Sequence, residues 1–256
     1  LQNNTFSGLF VGQNLIRLKE VDSTNTFLRD ALSKSTPFLD GTVILAEKQF
    51  AGRGQSGNSW QSEEGKNLTF SILLNPSFLQ VEQQFELNKA ISLALNDVLY
   101  KYFNGKAHIK WPNDLYIDNK KIGGMLIENI IQGSRIKHAI VGIGLNVNQS
   151  QFPDNLKNIS SFKQELHQDY DLMGILSEIC NSVEARYLQL RAGAFEKLDK
   201  EYLQKLYLMH QWSLFKFDGR IESGKILGVS AIGQLLLETT EGQKKFNNKE
   251  IEFINQ

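Results

Sequence analysis

Four short segments place cations, amides and glycines close enough in sequence to do chemistry on an anion. The first is Gly52-Arg53-Gly54-Gln55-Ser56-Gly57-Asn58-Ser59-Trp60. Glycines let backbone N–H groups approach an anion closely, and the planar guanidinium of Arg53 matches a carboxylate or phosphate. Trp60 can anchor the loop or cover an apolar ligand. No Gly-Lys-Ser/Thr follows at the Walker spacing. The second is Lys110-Trp111-Pro112-Asn113-Asp114, in which Asp114 can hold Mg²⁺ or orient an amine and Asn113 can donate hydrogen bonds. The third is Lys121-Ile122-Gly123-Gly124-Met125-Leu126-Ile127-Glu128. In a regular strand Lys121 and Gly123 face one side, and an inward lysine is costly unless it meets an anion. The fourth, Val141 to Asn148, carries Gly142, Gly144 and Asn146 on one strand face, a floor for a planar group such as adenine with an amide to bond it. Ser23-Thr24-Asn25 adds two hydroxyls and an amide at a helix start. Taken singly, each segment also has a plain structural explanation: a mobile surface loop, a Pro-Asn-Asp turn, a solvated edge lysine beside Lys120, close strand packing, a helix cap.

The elements that must position these residues are legible from periodicity. Residues 14–22 read as a strand, followed by a helix over 24–34 capped by Asp22 or Ser23, with Phe27, Leu28, Ala31 and Leu32 on one face. Residues 42–46 are a short apolar strand. Residues 49–67 break every periodicity and read as a long loop. Residues 68–74 form a buried-type strand, and 82–103 give the clearest helix, with Phe85, Ala90, Ile91, Ala94, Leu95, Val98, Leu99 and Tyr102 at helical spacing. Strands follow at 108–112, 114–117, 121–131 (a hairpin across the DNKK turn) and 136–148, then helices at 172–191 and 194–208. After Trp212 the texture becomes all-β: SLFKF, KILGVSAI, QLLLETT and IEFI, separated by Asp218-Gly219, Ile232-Gly233 and Glu241-Gly242. This predicts a small β-barrel.

The chain has 256 residues, which allows one large domain or one large plus one small. Lys+Arg and Asp+Glu are both 28, so bulk nucleic-acid binding is disfavoured; the β-rich tail is equally balanced. An apolar share of 41% with only 4 Pro excludes disorder and collagen-like structure. Cys180 is the single cysteine and cannot form an internal disulfide, which points to a reduced, cytoplasmic protein. No stretch approaches the ~18 apolar residues of a membrane helix. The first twenty residues lack a basic region followed by an apolar run, so no signal peptide is visible. His108, His138, His167 and His210 show no metal-ligand spacing.

Together and in this order, the segments resemble the biotin protein ligase family, the biotin–[acetyl-CoA-carboxylase] ligases. The shared motifs are a Gly-Arg-Gly loop ending in Trp, Lys-Trp-Pro-Asn-Asp, Lys-x-x-Gly-x-Leu-x-Glu and Gly-x-Gly-x-Asn-Val, spread over residues 15–150. The resemblance implies an α+β fold: a mixed β-sheet with packed helices over residues 1–210, followed by an SH3-like β-barrel over 211–256. It implies a form without an N-terminal DNA-binding domain. It also implies a two-step reaction. Biotin's carboxylate attacks the α-phosphate of MgATP to give biotinyl-5′-AMP and pyrophosphate. A lysine amine of biotin carboxyl carrier protein then attacks the acyl group and releases AMP. Biotin is a substrate, Mg²⁺ accompanies ATP, and no tightly bound prosthetic group, nucleic acid or membrane is expected.

By the same resemblance, the catalytic residues are Lys121, Arg53 and Asp114, with Lys121 between the carboxylate and the α-phosphate. Ser23, Thr24, Asn25, Gln49, Gly52, Arg53, Lys121 and Gly124 would hold biotin. Arg53, Gly54, Gln55, Trp60, Lys110, Asn113 and Asn146 would serve ATP, and Asp114 would meet Mg²⁺. One departure is visible. Many family members carry Gly-Arg-Gly-Arg, whereas this chain has Gln55, and a later basic loop position is Asn58. Looser phosphate electrostatics are expected, partly offset by Lys66 or Lys110. The alternatives are a lipoate or octanoate ligase or transferase of the same superfamily, and a non-catalytic biotin-binding protein.

Overall fold

Alternation at period two and apolar spacing near 3.6 sort the chain into twelve strands and five α-helices in the computed structural model, which describes residues 6–254 apart from Asn155. Residues 1–5, part of the stretch read above for a leader, lie outside the described residues, as do residues 255–256 of the expected barrel. The large sheet contains β1 (Leu15–Val21), β2 (Val43–Gln49), β3 (Leu68–Leu74), β4 (Ala107–Lys110), β5 (Asp114–Ile117), β6 (Lys120–Gln132) and β7 (Arg135–Leu145). Their order is β1-β2-β3-β7-β6-β5-β4, with β1–β2 parallel and the other neighbours antiparallel.

The two faces of this sheet do different work. Leu68, Phe70, Ile72 and Leu74 of β3 enter the main core together with α2 (Gln84–Tyr102), α4 (Leu172–Arg191) and α5 (Phe195–Lys205). On the opposite face Leu73 packs in a small cluster with Leu28, Ile44 and Ile140 beneath α1 (Thr24–Ser33). Beside that cluster the same face turns polar, and the candidate site lies there.

The second sheet holds β8 (Trp212–Phe217), β9 (Arg220–Val229), β10 (Leu235–Thr239), β11 (Gly242–Phe246) and β12 (Glu252–Phe253), antiparallel in the order β11-β10-β9-β8-β12. The rings of Phe217 on β8 and Phe246 on β11 are 4.9 Å apart although two strands lie between them in the ladder. A flat sheet would separate them by roughly 14 Å at ~4.8 Å per strand. The sheet is therefore curled, and these phenylalanines fill its interior.

Several boundaries differ from the expectation. Residues 49–67 are not structureless: Arg53 and Ser59 form a β-bridge around a 3-10 turn at Gln55–Gly57. The strand expected over 136–148 stops at Leu145: the Asn146 N–H still bonds the Ile122 carbonyl of β6 in register, but on the β3 side the Val147 N–H goes to the Asn67 side chain instead of a strand carbonyl. The strand expected at 225–232 runs from Arg220 to Val229. The helix expected to 208 ends at Lys205. A short helix, α3 (Phe162–Leu166), is capped by Ser161 and was not visible from periodicity.

The N-terminal segment is fastened by one carboxylate. Glu184 on α4 accepts the backbone N–H groups of Leu9 (2.7 Å), Phe10 (2.7 Å) and Val11 (3.0 Å). Burial pushes its carboxyl up, but the three N–H donors outweigh that and hold it below the usual carboxylate value. A depressed folded value gives stability that is present above the unfolded value of about 4.5 and is lost as pH falls through the folded value. Glu184→Gln is expected to cost about 1–3 kcal/mol near pH 7. The deficit should shrink as the wild type is acidified below about pH 4.5. Urea unfolding at pH 7 and pH 3.5 checks both.

Candidate active site

The floor of the site is built from register. On β6 and β7, Gly124 pairs with Gly144, Leu126 with Gly142 and Glu128 with Ile140. These residues share the polar face with Thr69 and Ser71 of β3. Lys121 joins that face through an irregularity. The β5–β6 register shifts so that Leu115 pairs with Gly123 and Tyr116 with Lys121, leaving Ile122 as an extra residue. A bulge of this kind reverses strand parity. The expectation that Lys121 and Gly123 share a face is therefore corrected. A Cβ on Gly124 would lie 3.5 Å from Lys121 Cε, whereas one on Gly123 would meet Leu145 and Leu115 on the core side. Ile122 is fully buried.

At one end of this floor two lysines flank one carboxylate. Lys121 Nζ is 2.7 Å from Asp114 Oδ1, with both side chains about one-quarter exposed. Lys110, opposite Asp114 on β4, donates to the Tyr116 hydroxyl at 3.1 Å and lies over the rings of Tyr116 and of Phe253 from β12. Burial pushes the Lys110 ammonium down, with Asp114 working against it and Lys121 adding to it. The Trp111–Pro112 peptide is cis. Trp111 Nε1 donates to the Gly233 carbonyl of the small sheet at 2.9 Å. Asn113 donates to the Met125 carbonyl, which leaves Asp114 facing the cavity.

The glycine segment forms a hairpin over the opposite end. Trp60 N–H donates to Gly52 O (2.9 Å), and Gly54 N–H donates to Asn58 O (2.7 Å). A Cβ on Gly52 would fall 2.3 Å from the Trp60 carbonyl, so only glycine closes this neck. The Trp60 indole lies in the space over Gly144, 5.8 Å from Lys121 Nζ, and its buried Nε1–H has no partner. Gln55 Oε1 accepts from Asn248 of the small sheet at 2.5 Å. The tail thus reaches the hairpin.

A third wall is a continuous polar network. Gln49 Oε1 accepts from Thr24 N–H at 2.8 Å. The Ser71 hydroxyl lies 2.6 Å from both Thr24 Oγ1 and Asn25 Oδ1. Asn25 Nδ2 donates to the Leu126 carbonyl and, at 2.8 Å, to Glu128 Oε2. Glu128 also receives Arg53, at 3.0 and 3.2 Å, and Arg29. The Asn25 amide occupies the space that a Cβ at Gly142 would take. The Ser23 hydroxyl makes no capping bond and faces the cavity. Ser71, Glu128 and Arg29 were not singled out from sequence. Glu128 closed the Lys-x-x-Gly-x-Leu-x-Glu motif, which is the one signal that could have found it.

These walls enclose a cavity of about 600 Å³. Its lining includes Ser23, Thr24, Asn25, Gln49, Arg53, Gly54, Gln55, Trp60, Lys110, Asn113, Asp114, Lys121 and Gly124. Arg53, Lys110, Lys121 and Lys249 stand against Asp114 and Glu252, so the pocket is cationic in a chain of zero net charge. Gly52 shapes the hairpin neck just outside. Asn146 is not brought to the lining. It is buried, its amide donates to the Ser160 carbonyl, and its Oδ1 has no partner. Lys66 is also outside the lining. Among the described residues no group of three or more His, Cys, Asp or Glu is placed to hold a metal, and no helix is long and apolar enough to cross a membrane. The arrangement can bind two anionic groups at once and shield them from water.

Known proteins share this architecture. The sequence profile of the biotin/lipoate A/B protein ligase family matches residues 18–146. The bifunctional ligase/repressor BirA of Bacillus subtilis is 33% identical over 249 residues, 94% of this chain and 74% of that protein. The Escherichia coli protein of the same name is 31% identical over 155 residues, 59% of this chain and 46% of that one. The structure of biotin protein ligase from Aquifex aeolicus in complex with biotin and ATP superposes with a TM-score of 0.78 at 30% identity, covering 95% of this chain and 99% of that one.

Proposed function

The chain belongs to the biotin/lipoate A/B protein ligase family, and we propose that within it this protein is a biotin–[acetyl-CoA-carboxylase] ligase that makes biotinyl-5′-AMP from biotin and ATP. The observation that carries the reading is that Arg53 and Lys121, from separate segments, line one cationic cavity with Lys110. A carboxylate and a phosphate repel by about 4 kcal/mol at 4 Å in a medium of effective dielectric near 20. Cations held at that junction offset the repulsion and stabilise the charge that develops on the α-phosphoryl oxygens.

Residue roles follow from position. Lys121 Nζ, 2.7 Å from Asp114, moves from that carboxylate to the junction of biotin and the α-phosphate. Arg53 faces the same anions. Ser23, Thr24, Asn25, Gln49 and Gly124 receive the neutral ureido head, whose specificity rests on hydrogen bonds from this polar wall. Gly52, Gly54, Gln55 and Trp60 form the cover, and the unpartnered Trp60 Nε1–H is a donor for a ligand acceptor. Lys110 and Asn113 flank the nucleotide. Asn146 lies outside the cavity and is held to the Ser160 carbonyl, so no adenine contact is assigned to it. Mg²⁺ arrives with ATP. A single protein carboxylate, Asp114, suits an ion held chiefly by phosphates and water. The acyl acceptor is a lysine of biotin carboxyl carrier protein, in the cytoplasm, and the catalytic and barrel domains divide at residues 210 and 211. The hydrolysis-prone mixed anhydride is shielded by Trp60 and the edge of the small sheet.

ATP–pyrophosphate exchange tests the reading: biotin should support exchange and lipoate should not. Exchange with lipoate alone would assign the chain to the other branch, and tight biotin binding without exchange would make it a binding protein. Gln55 gives a second test. Gln55→Arg adds a cation beside the phosphates and is expected to slow dissociation of biotinyl-5′-AMP by about tenfold, the effect of roughly 1.4 kcal/mol. Equal off-rates in a stopped-flow chase would show that Gln55 does not weaken adenylate retention.

A further inference from the structure

We propose that Arg29, acting through Glu128, is a positioning residue that keeps Arg53 effective as a cation toward the anions of the site. The inference rests on the adenylating reading above. Arg53 meets Glu128 through both terminal nitrogens, at 3.0 and 3.2 Å. That fork orients the guanidinium and leaves three of its five N–H donors for a ligand. Alone, the fork would also cancel the charge of Arg53, since Glu128 is only 19% exposed and weakly screened. Arg29 removes this cost. It reaches the same carboxylate from α1, and Asn25 supports it from the side. Two guanidiniums on one carboxylate leave a net positive charge, and of the three only Arg53 lines the cavity.

The arrangement matters more in this chain because the glycine hairpin carries Gln55 at its second basic position and spends it on Asn248. Lys66 is outside the cavity, and burial works against the charge of Lys110. Arg29 therefore supplies, from behind the wall, charge that the hairpin lacks.

Charge bookkeeping separates this role from a packing role. Arg29→Gln leaves Arg53 neutralised. The double variant Arg29→Gln/Glu128→Gln restores one net charge while removing both contacts. Pyrophosphate affinity by calorimetry and the ATP KM in biotin-dependent exchange are measured for wild type, Arg29→Lys, Arg29→Gln and the double variant, with melting temperatures alongside. Arg29→Gln should weaken pyrophosphate and raise the ATP KM by about tenfold, an effect that fades in high salt. Arg29→Lys should stay within about threefold of wild type, and the double variant, which loses the orienting fork but regains the charge, should bind pyrophosphate more tightly than Arg29→Gln. A double variant as impaired as Arg29→Gln, an Arg29→Lys as impaired as Arg29→Gln, or pyrophosphate affinity that is equal across the set or absent in wild type overturns the proposal. Absent biotin-dependent exchange in wild type overturns the functional reading instead, and the pyrophosphate affinities then still decide the role of Arg29.

Discussion

Lys121→Ala is expected to lower the rate of biotinyl-adenylate formation by about 10²–10³-fold, the range for removing one charge-stabilising donor from a reacting anion. Its Nζ sits 2.7 Å from Asp114 near the start of a bulged strand whose backbone is tied along one edge to residues 158–160, the Lys121 N–H to the Asn158 carbonyl and its own carbonyl to Ser160 N–H. The ammonium is therefore held while its last torsions stay free to swing toward a ligand. Stability should change little, because the side chain is 27% exposed and exposed or half-exposed pairs contribute about 0–1 kcal/mol. Single-turnover adenylate formation, with circular dichroism for the fold, checks this. A rate within about threefold of wild type would remove Lys121 from the chemistry.

Gly144→Ala should also be damaging, for a different reason. Its Cβ would fall 2.3 Å from Trp60 Cε2, a rigid ring atom, and Gly144 is held in register between Gly124 and Thr69. The strand cannot retreat, so Trp60 is expelled and the cover opens. Overpacking costs about 1–3 kcal/mol. Loss of the cover is expected to cut adenylation by about tenfold or more and to speed adenylate hydrolysis. Red-shifted tryptophan fluorescence would report the expelled indole. Adding Trp60→Ala should restore stability but not rate. Unchanged fluorescence and rate in Gly144→Ala would show that the indole has room to spare.

What the sequence made legible follows from local physics. The apolar run of Leu68–Leu74 and the helical spacing in 82–103 are read from neighbours in the chain, and both elements form. The glycines at 124, 142 and 144 stood out because a strand face without side chains is unusual, and the space over two of them is taken by other side chains, Asn25 over Gly142 and Trp60 over Gly144. The bulge at Ile122 was not legible, since it depends on pairing with β5, and it reverses which glycine accompanies Lys121. β11 carries Gln243, Lys244 and Lys245 and shows no apolar alternation; its place is set by its pairing with β10. Nothing local marks Arg29, because Glu128, its partner, is 99 positions away. Asn248 reaches the glycine hairpin from a sheet whose composition says nothing about a nucleotide. Residue types thus announced the chemistry, while the shells behind them depended on long-range register.

The central claim is that one cationic cavity joins biotin to ATP and passes the acyl group to a protein lysine. Its most direct test is the intact mass of a biotin carboxyl carrier domain incubated with the purified protein, biotin and MgATP. The account predicts a biotin-sized gain on one lysine, absent without ATP and absent with Lys121→Ala. No gain on any lysine, or the same gain from the Lys121→Ala protein, would contradict it.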